Sequence, residues 1–435
     1  MESPHKAGLM PTLCGSNSKG TGDVIVELDA ISIEQRDEQD QLAHLQQFFS
    51  LPDDVIYLDG NSLGALPKSV SAALTNAVEE QWGKSLIKGW NCHNWIDLPS
   101  KVGDRIAKLV GADEGTLVCA DSTSLNVFKV LATAIKMRPS RKVILSDTGN
   151  FPTDLYMAQG LKGLVSEDLE LRLVAPEDVE NALDESVAVM MLTEVDYRTG
   201  RKHNMKELTE KAHAVGALAM WDLCHSAGAF PVHLKAAEAD FAVGCSYKYL
   251  NGGPGAPAFV YVAPQHKNAA GNPLTGWMGH SAPFAFDLGY EPSAKTDQMR
   301  VGTPQVLAMT ALDAALDVFD QTSLEALQAK SIELSELFIS EVKRRCPSLE
   351  LASPTDPYKR GSQVSFCHEH GYAIMQALID HGVIGDFRAP NIIRFGFAPL
   401  YLTYANIVKA AEILGEIIAG NLWDTPAYHR KSKVT

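Results

Sequence analysis

From about residue 117 onward the chain alternates short apolar runs with segments whose apolar residues recur at helical spacing. That alternation constrains the fold more than any other feature. Strand-like runs occupy Leu117–Cys119, Val143–Ser146, Leu169–Leu173, Val187–Leu192, Leu218–Trp221, Phe241–Gly244 and Phe259–Val262. Between most of them lie helix-period segments such as Ser124–Ile135, Pro152–Leu161 and Met205–Ala214. This order predicts an α/β fold with a mainly parallel central sheet and right-handed crossovers. Ligands of such sheets bind outside the carboxyl ends of the strands. The pattern changes near Thr303. Helix patterns over Pro304–Phe319 and Ser323–Arg345 precede strand-like Gln363–Phe366, helix-like Tyr372–His381, strand-like Asn391–Phe397 and helix-like Tyr404–Ile418, which predicts a smaller α+β domain. With 435 residues the chain exceeds one typical core. The expected layout is a large domain over residues 61–310 and a small one over 311–435. Residues 23–60 are expected to pack on the small domain, and residues 1–22 to form a disordered extension without a signal peptide's apolar core.

The formal net charge of -15 argues against nucleic acid or an anionic membrane as partner. No apolar run is long enough to span a bilayer. Seven scattered cysteines fit a reducing, cytoplasmic compartment rather than a disulfide framework. The run Cys367-His368-Glu369-His370 crowds its potential ligands too closely for a tetrahedral metal site, and no second cluster answers it; no metal is expected.

Two strand ends carry the chemistry. The run Leu218–Trp221 ends on Asp222, followed by Leu223-Cys224-His225. The run Phe241–Gly244 leads into Cys245-Ser246-Tyr247-Lys248-Tyr249-Leu250-Asn251 and a Gly/Pro turn. An Asp and a Lys so placed suit pyridoxal 5'-phosphate (PLP): the Lys amine forms a Schiff base with the aldehyde, and the Asp keeps the pyridine nitrogen protonated. The glycines let the backbone pass close to the ring. Asp121-Ser122-Thr123-Ser124 ends the first strand and opens a helix, either as a simple cap or as a phosphate cradle. Phe151, in Phe151-Pro152-Thr153-Asp154, could stack on a flat ring or staple the helix that follows. Thr193 could donate to a ring oxygen. His225 could bond Asp222 or phosphate, or be a structural histidine. Tyr247 is a candidate proton donor. Arg394 sits in an apolar strand, where it either grips a substrate carboxylate bidentately or closes an internal salt bridge.

Taken together these motifs resemble the kynureninase family, fold-type I PLP enzymes close to the class V aminotransferases, over about residues 57–418. The resemblance also rests on Tyr57-Leu58-Asp59-Gly60-Asn61-Ser62-Leu63-Gly64, Gly276-Trp277-Met278-Gly279-His280, Arg300-Val301-Gly302-Thr303-Pro304 and Arg360-Gly361-Ser362-Gln363. It implies Lys248 as the Schiff-base lysine, Asp222 as the pyridinium partner and Tyr247 as the catalytic acid. Thr123 and Ser124 would hold the phosphate, with Tyr247 and Trp277 donating to it and Thr303 reaching it from a second subunit of a homodimer. Phe151 would stack on the ring, while Asp154, Thr193 and His225 complete the cofactor shell. Arg394 would bind the substrate carboxylate, and Asn61, Ser62 and Trp90 would line the substrate side. The implied reaction is hydrolysis of L-kynurenine to anthranilate and L-alanine, within tryptophan breakdown and NAD biosynthesis. Trp90 and the pair Gly302-Thr303 resemble the bacterial type and favour kynurenine over 3-hydroxykynurenine. The alternative is a class V aminotransferase or desulfurase-like PLP enzyme. Cys224, between Asp222 and His225, departs from the family pattern.

Overall fold

The computed structural model describes residues 32–165, 168–268, 271–294 and 296–431. The expectation for residues 1–22, and that for residues 23–31, lie outside them. Seven strands build the central sheet: β1 Leu117–Cys119, β2 Val143–Asp147, β3 Glu170–Val174, β4 Val187–Thr193, β5 Leu218–Asp222, β6 Phe241–Gly244 and β7 Phe259–Val262. Each lies within a residue or so of its expected place. Their order across the sheet is β1-β7-β6-β5-β4-β2-β3. Six strands run one way, and β7 is antiparallel to both its neighbours.

The strands read as continuous apolar runs because both faces of the sheet are covered. Val189 and Met191 of β4 face one core, shared with Val127, Val130, Leu131 and Ala134 of the Thr123–Met137 helix. Met190 and Leu192 face the opposite core, with Trp221 of β5 and Phe259 of β7. Only β3, at the sheet edge, alternates toward solvent among these strands.

The C-terminal part carries a four-stranded antiparallel sheet in the order Glu350–Leu351, Gln363–Cys367, Ile392–Gly396, Asp386–Arg388. Its register sets Arg394 between Ser365 and Asp386. The Asp386–Arg388 strand was not legible beforehand, since three residues with two charges carry no period. Helices Leu324–Arg345, Gly371–Asp380 and Tyr404–Ala419 accompany this sheet. Ile56–Tyr57 pairs with Val383–Ile384, and the Asp37 carboxylate caps the Tyr404–Ala419 helix by accepting from the Tyr404 and Ala405 amides. Asp37 and Ile56–Tyr57 thus contact the C-terminal part, while Phe49–Ser50 between them pairs with Leu66–Pro67. No helix among the described residues is long and apolar enough to cross a membrane.

Candidate active site

The carboxyl ends of β1, β2, β4, β5 and β6 open on the same side of the sheet. Thr193 and Asp222 are register partners there, and Asp222 pairs in turn with Val243. Beyond Val243 the chain enters the lysine turn, which is held from several directions. The Gly252 amide donates to Ser246 O at 2.9 Å, and the Asn251 amide to Lys248 O at 2.8 Å. Asn251 itself sits at φ 57, a conformation Asn tolerates better than most residues. The Gly64 amide donates to Tyr247 O at 2.7 Å. A Cβ on Gly64 would lie 2.3 Å from Lys248 O, so the Asp59–Gly64 turn is laid directly on the backbone that presents the lysine.

Lys248 Nζ lies 3.0 Å from His225 Nε2. Burial, then the Lys248 charge and the more distant Arg394 and Arg388 charges, push the His225 pKa well below its ordinary value. A neutral imidazole therefore accepts from the lysine. His225 Nδ1 has no partner. Asp222 is buried and accepts the Cys224 amide at 2.6 Å on Oδ1. Asp154, in the first turn of the Pro152–Val165 helix, meets it. Burial, the Asp222 charge and the hydrogen bond between the two raise the Asp154 pKa well above the usual carboxylate range. Asp154 therefore holds its proton more tightly than an ordinary carboxyl at this place beside Asp222. Asp154 Oδ2 is buried and unpartnered.

Beside this cluster a cavity of about 490 Å³ is lined by Asp121, Thr123, Cys245, Tyr247, Gly255 and Gln305, among others. Ser122 caps the Thr123–Met137 helix by accepting from the Leu125 amide. The helix amides at Thr123 and Ser124 face the same end and suit an anion. Asp121 adopts φ 54 and is tied down by Lys129, a fully buried lysine that donates to Asp121 Oδ2 at 2.8 Å and to Met299 O at 2.6 Å. Burial, reinforced by the neighbouring Cys245 and Cys224 thiols, raises the Tyr247 pKa. On the other flank Thr193 donates to Asn150 Oδ1 at 2.5 Å. Phe151 packs edge-on against Tyr197 and keeps 39% of its surface exposed.

Tyr197 links this flank to Arg394. The guanidinium uses four of its five N–H donors: Nε to Asp386 Oδ1 at 2.8 Å, Nη1 to Tyr197 O at 2.5 Å, Nη2 to Ser62 Oγ at 2.7 Å, and Nη2 again to Asp386 Oδ2. The internal salt bridge is therefore present. Burial alone would raise the Asp386 pKa, but Arg394 and Arg388 outweigh it and hold the carboxyl below its usual range. Nearby Asp59 goes the other way, to about 7, through burial and the Asp386 charge.

The structure thus brings Thr123, Ser124, Phe151, Asp154, Thr193, Asp222, His225, Tyr247 and Lys248 to one side of the sheet, with Ser62 and Arg394 on the adjoining flank. Asn61 is wholly buried and reaches Gln363 at 3.5 Å. Trp90 packs edge-on against Trp95, away from this cluster. Trp277 is 40% exposed beside Phe284 and Phe286, and Thr303 is exposed. Asn150, Tyr197 and Asp386 were missed. Asn150 adjoins Phe151 and could have been suspected, whereas Asp386 gains its role only from the sheet register.

Comparison with known proteins bears on this site. Residues 327–414 match the family model of the kynureninase C-terminal domain. The fold resembles an apo cysteine desulfurase from Thermococcus onnurineus, with TM-score 0.73 and 18% identity over 87% of this chain and 98% of that one. It equally resembles C-DES with glycine covalently linked to its PLP cofactor, with TM-score 0.73 and 15% identity over 84% and 97%. At such identities the likeness establishes the fold-type I architecture alone. A kynureninase from Pseudomonas fluorescens is 49% identical over 92% of this chain and 98% of its own length. At that identity over nearly the full length of both proteins, the chain belongs to the kynureninase family.

Proposed function

We propose that the chain hydrolyses L-kynurenine to anthranilate and L-alanine, using PLP held at the carboxyl ends of the central strands. The observation that carries this reading is the buried cluster of Asp154, Asp222, His225 and Lys248, in a chain 49% identical to a kynureninase. The residues present fit the cofactor. The acid pair suits a protonated pyridine nitrogen, and the unpartnered Asp154 Oδ2 and His225 Nδ1 await a polar group. Thr123, Ser124 and the helix amides suit the phosphate, and the exposed Phe151 ring suits stacking. Thr193 stands at the same strand ends, its hydroxyl hydrogen given to Asn150 Oδ1, so its oxygen suits a donor on the ring. When bound, PLP supplies an electron sink that stabilises negative charge on the amino acid.

The chain's own groups do the rest. Lys248 would hold the cofactor's aldehyde, and its amine is the group placed to carry the proton at the substrate Cα. Neutral His225 accepts from Nζ and so directs it. Asp222, buried beside Asp154, would face the ring nitrogen. Water adds to the substrate γ-carbonyl, the Cβ–Cγ bond breaks with release of anthranilate, and Tyr247, kept protonated by burial, would deliver the proton that Cβ then takes up. Arg394 would meet the α-carboxylate with the one Nη1 N–H it has left, its guanidinium oriented by Asp386. Ser62, bonded to Arg394, borders the same place, and Asn61 supports it from beneath. The exposure of Thr303, and of Trp277 beside exposed Phe284 and Phe286, supports a homodimer in which Thr303 serves the partner's phosphate. Six reduced cysteines among the described residues suit the cytoplasm.

A desulfurase needs a reactive cysteine on a mobile loop. Cys346 is buried, with burial raising its pKa to about 11, and Cys367 is buried within a strand. The deciding experiment follows absorbance and anthranilate fluorescence as L-kynurenine is added to the PLP-loaded protein, with a Lys248→Ala control. Anthranilate release that the control abolishes supports the reading. Cofactor binding without anthranilate release retires it in favour of an aminotransferase. Running 3-hydroxykynurenine alongside settles the preference.

A further inference from the structure

Two cysteines lie side by side under the lysine turn. Cys224 follows β5 and Cys245 follows β6, and these strands are parallel neighbours with Asp222 opposite Val243. The pairing continues past the strand ends. The Leu223 amide donates to Val243 O at 2.8 Å, and the Cys245 amide to Cys224 Sγ at 3.1 Å. Cys224 lies in the turn just after β5, and the bond from the Cys245 amide to its sulfur sets the two residues side by side. Contacts this short leave the pair within reach of the roughly 4.4–6.8 Å between Cα atoms that a disulfide accepts. Cys245 Sγ sits 3.9 Å from Cys224 O, and both cysteines are reduced. Cys245 lines the 490 Å³ cavity, and Cys224 Sγ is 3.9 Å from Thr123 Oγ1 at its wall. A small oxidant can therefore reach the pair through the opening that suits the phosphate.

We propose that Cys224 and Cys245 form a redox-modification site, which a peroxide converts to an intramolecular disulfide and which phosphate in the adjoining cavity shields. This inference does not depend on the reaction the enzyme catalyses. In the first step the Cys245 sulfur attacks a peroxide oxygen. The O–O bond breaks, and hydroxide leaves as water after taking a proton, giving a sulfenic acid. The Cys224 sulfur then attacks Cys245 Sγ; the S–S bond forms, the S–O bond breaks and a second water leaves. The two thiols lose two electrons and two protons, and hydrogen peroxide becomes two waters. A dithiol reductant reverses the change. Cys245 is the better nucleophile of the two: burial disfavours its thiolate, but the Cys224 contact and the Lys248 charge outweigh burial, while Cys224 is pushed the opposite way. Closure draws the sulfurs to about 2.05 Å. It removes Cys224 Sγ from the Cys245 amide and displaces the turns that carry Thr123 and Lys248.

The test treats full-length PLP-loaded protein and its cofactor-stripped form with graded hydrogen peroxide. The remaining thiols are then alkylated and the peptides mapped without reduction. The expected result is a Cys224–Cys245 linked peptide with loss of two alkylatable thiols, appearing at lower peroxide in the stripped form and reversed by dithiothreitol. PLP added afterwards, titrated by absorbance, should bind the linked form more weakly. Cys224→Ala and, separately, Cys245→Ser should form no such link and should retain PLP affinity after the same treatment. Recovery of both cysteines as separate thiols or sulfinic acids in the stripped wild-type protein overturns the proposal. So does an equal loss of PLP affinity in Cys224→Ala.

Discussion

Gly64→Ala tests whether the turn before the first large helix truly supports the lysine. The added methyl would meet Lys248 O at 2.3 Å, Asn251 Oδ1 at 2.5 Å and Asn251 Cα at 2.7 Å. Ordinary carbon–oxygen contacts are about 3.3 Å or longer, so one of the two turns must retreat by roughly 1 Å. The Gly64 amide bond to Tyr247 O, at 2.7 Å, resists that retreat. Overpacking of this kind costs about 1–3 kcal/mol, and a 1 Å misplacement of a reacting group can cost on the order of 100-fold in rate. The expected variant folds with a modestly lowered Tm, binds PLP, and loses roughly 100-fold in kcat/KM for L-kynurenine. Gly160→Ala is the control. Gly160 lies in the Pro152–Val165 helix with open space where a Cβ would go, so the change should stabilise by about 0.5–1 kcal/mol and leave kcat/KM unchanged. Should Gly64→Ala match the wild type within twofold in both Tm and kcat/KM, the idea that this turn positions Lys248 is wrong.

Three further expectations concern charge. Asp240, clamped by His213 Nε2 at 2.8 Å and His266 Nε2 at 2.6 Å, is held at about 2, since these bonds and the Ala219 amide outweigh burial. Its stabilisation is complete above the unfolded carboxylate value and is lost as pH falls toward 2. The raised His213 contributes below about 6.5, and that part fades as pH rises through its folded value. Asp240→Asn should therefore lower Tm more at pH 5.5 than at pH 8.5, and an equal loss at both refutes the linkage. Asp59, raised to about 7, binds a proton more tightly when folded, so its ionisation progressively destabilises the fold as pH climbs from about 4 to 7. Asp59→Asn should gain stability relative to wild type across that window; a flat difference in urea midpoints argues against it. Asp386→Asn should lower stability by about 3–5 kcal/mol by leaving Arg394 buried with a weaker partner, and should raise KM for kynurenine. Unchanged denaturation together with unchanged KM would falsify its assigned role.

How much of this was legible in the sequence differs from element to element. Six of the seven strands were readable because a strand covered on both faces must be apolar throughout, and that is a local property; β3, at the sheet edge, showed instead as alternating apolar residues. The reversed direction of β7 was not readable, since Phe259–Val262 looks the same whichever way it runs. Asp222 and Lys248 stood out because their chemistry is concentrated within a few residues of a strand end. The Asp386–Arg388 strand and the bond from Ser62 to Asp386, across 324 positions, left no local trace. Nor did the raised pKa of Asp154, which exists only because it is buried against Asp222.

The sequence by itself determined the layered α/β architecture, the lysine turn and most of the candidate cofactor shell, because periodicity and turn chemistry act over a few residues. Only the tertiary structure decided that Arg394 enters its site already paired with Asp386 and that Gly64 sits beneath Lys248. It alone brought Cys224 and Cys245 together across neighbouring strands. Those relations depend on register and on packing between distant segments, and neither is written into any one stretch of chain.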